Sequence, residues 1–274
     1  MSVVWINGRL VAAADAAVSP FDQALLTGDG VFETMRVRRG TPFALTRHLG
    51  RLARSAAGLR LPCPPATVVV AAVGEVVAAN GLVDGRVRVT VTGGQAPIGA
   101  DRTAIEPTVI VTGGPRPDWP ATADVVLSPW PRNERGALVG IKTVSYGENV
   151  VALAHAVDRG AGEAIFANLA GNLCEGTSTN VFVGIGGRLV TPPTSAGCLA
   201  GVTRELVLEL VGAVEDDLPL AALASADEAF LTSSTRDVQP VRAVDGHPLA
   251  ACPGPLTAAA AAAFRDLVAA DLDP

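Results

Sequence analysis

A chain of 274 residues, 49% of them hydrophobic and 18% charged, has the apolar mass to bury a core in one large domain or two modest ones and is not a disordered chain. Its net charge of −6, with no basic run, argues against nucleic acid as a partner. No apolar stretch reaches the ~20 residues of a membrane-spanning helix, and the opening MSVVWINGRLV lacks the basic start and long apolar middle of a signal peptide, so a cytoplasmic protein is expected.

The first part reads as strand-rich. VVWINGRLV folds back as a hairpin at Asn7-Gly8, and GVFETMRVRRGTPFAL as a second at Arg39-Gly40. Leu45, Leu49, Leu52, Ala56 and Leu59 then recur at helical spacing, which predicts an amphipathic helix ending before Pro62. ATVVVAAVGEVVAANG is a further helix, stopped at Gly81. GRVRVTVTGG and PTVIVTGG alternate like paired strands. At GGPRPDWPAT, residues 113–122, three prolines and two glycines mark a linker.

Beyond it come a strand (ADVVLSP), a segment around Lys142 and a helix (ENVVALAHAVDRG). Two strands follow, EAIFANLAGNLCE and STNVFVGIGGRLVTPP, then a helix (VTRELVLELVGAV). DEAFLTSSTRDVQPVRAVDG supplies more strands, and the alanine-rich PLTAAAAAAFRDLVAADL a closing helix. This order predicts an α+β fold: a small domain over residues 1–115, the linker, and a larger domain over residues 123–274. Cys63, Cys174, Cys198 and Cys252 have no C-x-x-C spacing and read as reduced thiols. His48, His155 and His247 are scattered, and no metal motif is visible.

Lys142 is the only lysine; the other 20 of the 21 basic residues are arginine. Arginine stays protonated, whereas a lysine can lose its proton and form a Schiff base with a carbonyl. The lone lysine is therefore a candidate nucleophile, set against survival by chance. Its company includes AGVTRELVLEL, where Val202 and Thr203 open a helix whose free N–H groups could bind phosphate, or which Thr203 simply caps. Thr232, Ser233, Ser234 and Thr235 place four hydroxyls at a strand end, suited to an anion and also common in loops. Glu175, flanked by strands, needs a cationic partner, which a pyridinium nitrogen or an arginine would supply. His48, Arg51 and Ser55 share one helix face; Arg51 could reach a phosphate, or the face could simply be solvated. An amine, an anion site and a carboxylate acceptor are together what pyridoxal 5′-phosphate requires.

With those residues in place, the chain resembles the fold-type IV pyridoxal-phosphate enzymes, a family that includes branched-chain and D-amino-acid aminotransferases, R-selective amine transaminases and 4-amino-4-deoxychorismate lyase. The resemblance runs nearly end to end, in order: WINGRL, TGDGVFETMRV, RHLGRLARSA, GIKTVSYGENVVALAHA, CEGTSTNVF, LAGVTREL and DEAFLTSSTRDVQPV. It implies two domains, the second a pseudo-barrel, and a homodimer. It also implies Lys142 as the Schiff-base and proton-shuttling lysine, and Glu175 as partner of the ring nitrogen. Arg51, Val202, Thr203 and Ser234 would hold the phosphate, with Asn180 and Thr235 also at the cofactor.

On the substrate side, Phe32 stands where D-amino-acid aminotransferases resemble one another in having tyrosine, and Ile98-Gly99-Ala100 where they carry an Arg-x-His carboxylate trap. Arg86, Arg88, Thr90 and Thr92 share one strand face. Arg88 is the first candidate for the substrate carboxylate, with Arg36 behind it, each set against a surface arginine on a mixed strand, and Tyr146 is a candidate pocket wall or a core residue. The reading is a transaminase moving an amino group between an amino acid, D-amino acids and R-amines included, and a 2-oxo acid. The alternatives are aminodeoxychorismate lyase, which releases pyruvate and 4-aminobenzoate, and a catalytically silent cofactor-binding protein, which intact Lys142 and Glu175 count against.

Overall fold

The structure is a computed structural model that describes residues 2–99 and 106–274. Of the Ile98-Gly99-Ala100 stretch, Ala100 lies outside the described residues. The chain forms two compact units. One comprises Met1–Pro117 with Ile141–Tyr146 and Asp271–Pro274; the other comprises Asp118–Gly140 and Gly147–Ala270. The Lys142 segment, expected with the C-terminal half, thus belongs to the first unit.

The first unit is built on a six-stranded antiparallel sheet in the order β2-β1-β6-β5-β3-β4. Its strands are β1 (Val3–Ile6), β2 (Arg9–Ala12), β3 (Gly30–Arg38), β4 (Thr41–Pro42), β5 (Asp84–Thr92) and β6 (Val109–Gly114). Asn7 and Gly8 have φ of 44° and 88°, and Arg39 and Gly40 have 51° and 78°. Two consecutive residues at positive φ make the tight turns that match strand twist, so both hairpins close where predicted. A short helix not foreseen in the sequence, α1 (Gln23–Thr27), precedes β3, capped by the Asp22 side chain on the Ala24 N–H.

The helices α2 (Leu45–Gly58) and α3 (Ala66–Ala79) cover one face of this sheet. Leu52 and Ala56 of α2 and Val69, Val73 and Val76 of α3 pack against Val31, Met35, Val37, Val87, Val89 and Val91. Alternation along β3 sends residues 31, 33, 35 and 37 into that layer and Phe32, Thr34 and Arg36 to the opposite face. Antiparallel register sets Phe32 opposite Thr90, Thr34 opposite Arg88, and Arg36 opposite Arg86.

The second unit carries a nine-stranded mixed sheet in the order β12-β11-β10-β13-β14-β7-β8-β9, with β15 paired to β14. The strands are β7 (Ala123–Leu127), β8 (Glu163–Ala167), β9 (Leu173–Gly176), β10 (Asn180–Ile185), β11 (Arg188–Thr191), β12 (Val214–Glu215), β13 (Glu228–Ser233), β14 (Asp237–Val244) and β15 (His247–Pro248). The two long stretches expected as single strands are each a hairpin, because Gly171 and the Gly186-Gly187 pair sit at positive φ and turn the chain. Residues 177–179 lead from β9 straight into β10, so the far edge of the sheet returns beside β10 as a pseudo-barrel. The helices are α4 (Gly147–Val157), α5 (Val202–Val211) and α6 (Pro255–Ala270). No helix among the described residues is long and apolar enough to cross a membrane, and none of their His, Cys, Asp and Glu side chains group in a way that could hold a metal ion.

Candidate functional site

In the first unit the lone lysine is fixed through its main chain. The Lys142 carbonyl accepts from the Phe32 N–H at 2.9 Å, and Val144 N–H donates to the Gly30 carbonyl at 2.9 Å. Val31 and Thr143 form a bridge, so residues 142–144 run as an added strand along the edge of β3 that short β4 leaves uncovered. The Lys142 N–H donates to Ser55 Oγ on α2 at 3.1 Å. Lys142 is therefore held on both sides of its Cα by buried structure.

Its side chain lies by an aromatic ring that also meets a second cation. Lys142 Nζ is 4.4 Å from the Phe32 ring centre and the Arg88 guanidinium carbon 3.7 Å. Tyr146 meets the same ring edge-on at 5.5 Å. Lys142, Phe32, Arg88 and Tyr146 are thus brought together. Arg88 is half-buried; burial first, then the charge of Arg86, pulls its pKa down, while Tyr146 opposes them. Its Nε donates to Thr90 at 3.2 Å, and among the described residues it has no carboxylate partner. Arg36 is different. Its Nε and Nη2 both bind Asp84 Oδ1, at 3.0 and 2.8 Å.

The helix face of His48, Arg51 and Ser55 is not a solvated one. All three are buried, at 1%, 4% and 2% exposure. His48 and Arg51 meet Glu33, which β3 alternation drives into the core between Val31 and Met35. Arg51 Nε and Nη2 bind the two Glu33 oxygens at 2.7 Å each, and His48 Nδ1 sits 2.6 Å from Oε2. Burial pushes Glu33 up, but the charge and hydrogen bonds of Arg51, then those of His48, outweigh it and hold the carboxyl at about 2. Burial is also the main reason His48 falls below its ordinary pKa, while the Glu33 carboxylate opposes it. Facing a carboxylate oxygen, which accepts, His48 Nδ1 is the donor of this pair. Sequence reasoning misses Glu33, although its signal is there: a charge at a core-facing parity in V-F-E-T-M-R-V.

In the second unit Glu175 lies on β9. Its Oε2 accepts from the Leu199 N–H at 2.9 Å, and Arg132 Nε lies 3.4 Å from Oε1, an ion pair outside hydrogen-bond geometry. Arg132 also binds Glu148 and Asn149, both at 3.1 Å, and lies 4.2 Å over Phe166. No sequence motif flags Arg132; it reaches Glu175 only through the fold. The buried thiols Cys174 and Cys198 are raised by burial and then by the Glu175 charge, Cys198 to about 12, which leaves both inert.

The candidate anion binders of the second unit, unlike Arg51 on α2 of the first, lie at one end of the second sheet. Asn180 opens β10, pairs in register with Thr232, and donates to the Leu199 carbonyl at 2.8 Å. A methyl group at Gly201 would meet the Asn180 amide oxygen, so a larger residue there would displace the Asn180 side chain. Gly201 is the N-cap of α5 and offers no side-chain cap, leaving the Val202 and Thr203 end of the helix without one. The Oγ1 atoms of Thr179 and Thr232 are buried with no hydrogen-bond partner among the described residues. Ser234 and Thr235 follow in the β13–β14 turn, where Thr235 Oγ1 accepts from Trp119 Nε1 at 3.3 Å. Uncapped amides and orphaned hydroxyls are a donor set suited to a phosphate. The residues present fit the group that the sequence implied.

Residues 30–244 match the family described as Amino-transferase class IV. The chain belongs to that family. It is 34% identical to the putative branched-chain-amino-acid aminotransferase of Methanocaldococcus jannaschii, over 89% of this chain and 88% of that one. It is 32% identical to the D-alanine aminotransferase of Bacillus licheniformis, over 93% of each chain. It is 30% identical to the aminodeoxychorismate lyase of Bacillus subtilis, over 89% of this chain and 87% of that one. Among solved structures, the branched-chain aminotransferase of Thermoproteus uzoniensis with norvaline superposes at a TM-score of 0.91 and 31% identity, covering 97% of this chain and 94% of that one. The T.th. branched-chain amino acid aminotransferase with pyridoxamine 5′-phosphate superposes at 0.91 and 25% identity, with the same coverage. The class IV fold is therefore a fold-type IV α+β fold, and the family's cofactor is pyridoxal 5′-phosphate.

Proposed function

We propose that this protein is a transaminase that moves an amino group between an amino acid and a 2-oxo acid such as pyruvate or 2-oxoglutarate, with D-amino acids and R-amines among the donors to be tested. The observation that carries the reading is the setting of Lys142: the one side chain able to form an imine is clamped at both its N–H and its carbonyl, with its amine beside Phe32 and Arg88. Lys142 would hold pyridoxal 5′-phosphate covalently and serve as the proton carrier at the substrate Cα. Arg51, the Val202 and Thr203 amides, and Ser234 would hold the phosphate, with Thr235 and Asn180 beside them. Glu175 would hold the ring nitrogen, its carboxylate oriented by Arg132 and the Leu199 N–H. When bound, the cofactor supplies an electron sink for breaking a bond at the substrate Cα.

Arg88 would take the substrate carboxylate. It is half-buried and lacks an acidic partner among the described residues, whereas Arg36 is already engaged by Asp84. Phe32 and Tyr146 would wall the pocket. A homodimer would cover the apolar surface that α4 exposes at Val150, Leu153 and Val157. The molar mass in solution tests it.

A second reading, aminodeoxychorismate lyase, is favoured by the Bacillus subtilis relative. One experiment separates the two. D-Alanine, L-leucine, R-1-phenylethylamine and aminodeoxychorismate are offered separately, and the cofactor absorbance and the products are followed. Conversion of the cofactor to its aminated form with a keto product supports transamination. Pyruvate from aminodeoxychorismate, with the cofactor spectrum restored, supports the lyase. No change with any of them supports the silent cofactor-binding protein.

A further inference from the structure

The Glu33–His48–Arg51 cluster does more than join β3 to α2. Its three side chains are 1%, 1% and 4% exposed, in a layer otherwise filled by apolar residues, valine above all. An apolar trio of similar volume would hold helix to sheet at least as well, because a buried ion pair recovers little beyond its own desolvation cost. The geometry is also more specific than charge neutralisation requires. Glu33 grips the Nε and Nη2 edge of Arg51 at 2.7 and 2.7 Å, which fixes the plane of the guanidinium and not only its position. His48 then holds the second carboxylate oxygen at 2.6 Å, so the carboxylate cannot rotate away. One helical turn further on, Ser55 receives the Lys142 N–H.

We propose that Glu33 is a positioning residue that sets the orientation in which Arg51 presents its guanidinium to a phosphate monoester. The inference rests on the reading of Arg51 as a phosphate holder. A carboxylate in this position weakens the net positive charge that the phosphate meets. Glu33 therefore trades attraction for direction, and its removal is felt as lost selectivity for the phosphorylated ligand.

The test is the affinity of the cofactor-free full-length chain for pyridoxal 5′-phosphate divided by its affinity for pyridoxal, titrated by absorbance and protein fluorescence. Because both ligands meet the same variant, general loosening of the fold cancels. Glu33→Gln replaces one acceptor oxygen by a donor that opposes Arg51 or His48, and is expected to lower the ratio about tenfold or more. Glu33→Asp keeps the charge but shortens the reach, should lower it less, and serves if the glutamine variant does not fold. Arg51→Gln is the control. If Arg51→Gln lowers the ratio and both Glu33 variants leave it unchanged or raise it, the positioning role is overturned while the phosphate reading stands. If Arg51→Gln leaves the ratio unchanged, the phosphate reading fails and takes the inference with it.

Discussion

Lys142 and Phe32 meet twice. The Phe32 amide donates to the Lys142 carbonyl at 2.9 Å, and the Lys142 amine lies 4.4 Å from the centre of the Phe32 ring. The first contact is main chain and places the lysine. The second is side chain and shapes what surrounds its amine.

Lys142→Ala should abolish covalent capture of the cofactor, and Lys142→Arg should do the same, since a guanidinium does not form the imine. Borohydride reduction followed by mass spectrometry reads the outcome. A phosphopyridoxyl adduct on any residue of the alanine variant, at wild-type yield, would remove Lys142 from its role.

Arg88→Ala should raise KM for amino acids far more than for R-1-phenylethylamine, which carries no carboxylate. The loss of one charged hydrogen-bonding partner predicts about 1.5–3 kcal/mol in kcat/KM for the amino acid. Equal effects on both donors would assign Arg88 to packing on Phe32 instead.

Glu175→Gln should leave the cofactor bound, because the new amide side chain keeps an oxygen for the Leu199 N–H, and should slow amino transfer in a single turnover on the order of a hundredfold. It also strips Arg132 of its 3.4 Å anionic partner. Wild-type single-turnover rates would exclude a role for Glu175 at the ring nitrogen.

Acid should unfold the protein in two overlapping stages. His48 is held below its ordinary value of 6.5, mainly by burial, so the unfolded chain takes up this proton first and stability begins to fall as pH drops below 6.5. Glu33 is held at about 2 against an ordinary 4.5. Its contribution is present in full above 4.5 and is lost as pH falls towards 2, amounting to about 3 kcal/mol. Urea unfolding free energies from pH 7 downward should show the decline, with the part below 4.5 shallower in Glu33→Gln. Parallel curves for the two proteins would contradict the assignment.

The hairpins at Asn7-Gly8 and Arg39-Gly40 and the long helices are legible in the sequence because turn chemistry and period are local. The same holds for Lys142, whose interest is compositional. Glu33 escapes such a reading because its partners come from α2 and the pairing is long-range; the alternation of β3 contains the clue. Arg132 is not legible at all, since nothing near it in the chain points to Glu175. The paired strands within 163–176 and 180–191 read as single strands because their glycine turns are short interruptions in apolar runs. Arg36 and Arg88 look alike on paper. Only the carboxylate of Asp84, which lies opposite Arg38 and so within reach of Arg36 two positions back, separates them.

The two contacts between Lys142 and Phe32 draw on different atoms of the same residue. Any amino acid other than proline at position 32 can supply the amide that seats the lysine, so the ring is open to replacement without unseating Lys142. The side chain beside the Lys142 amine can therefore vary while the main chain that seats Lys142 stays as it is.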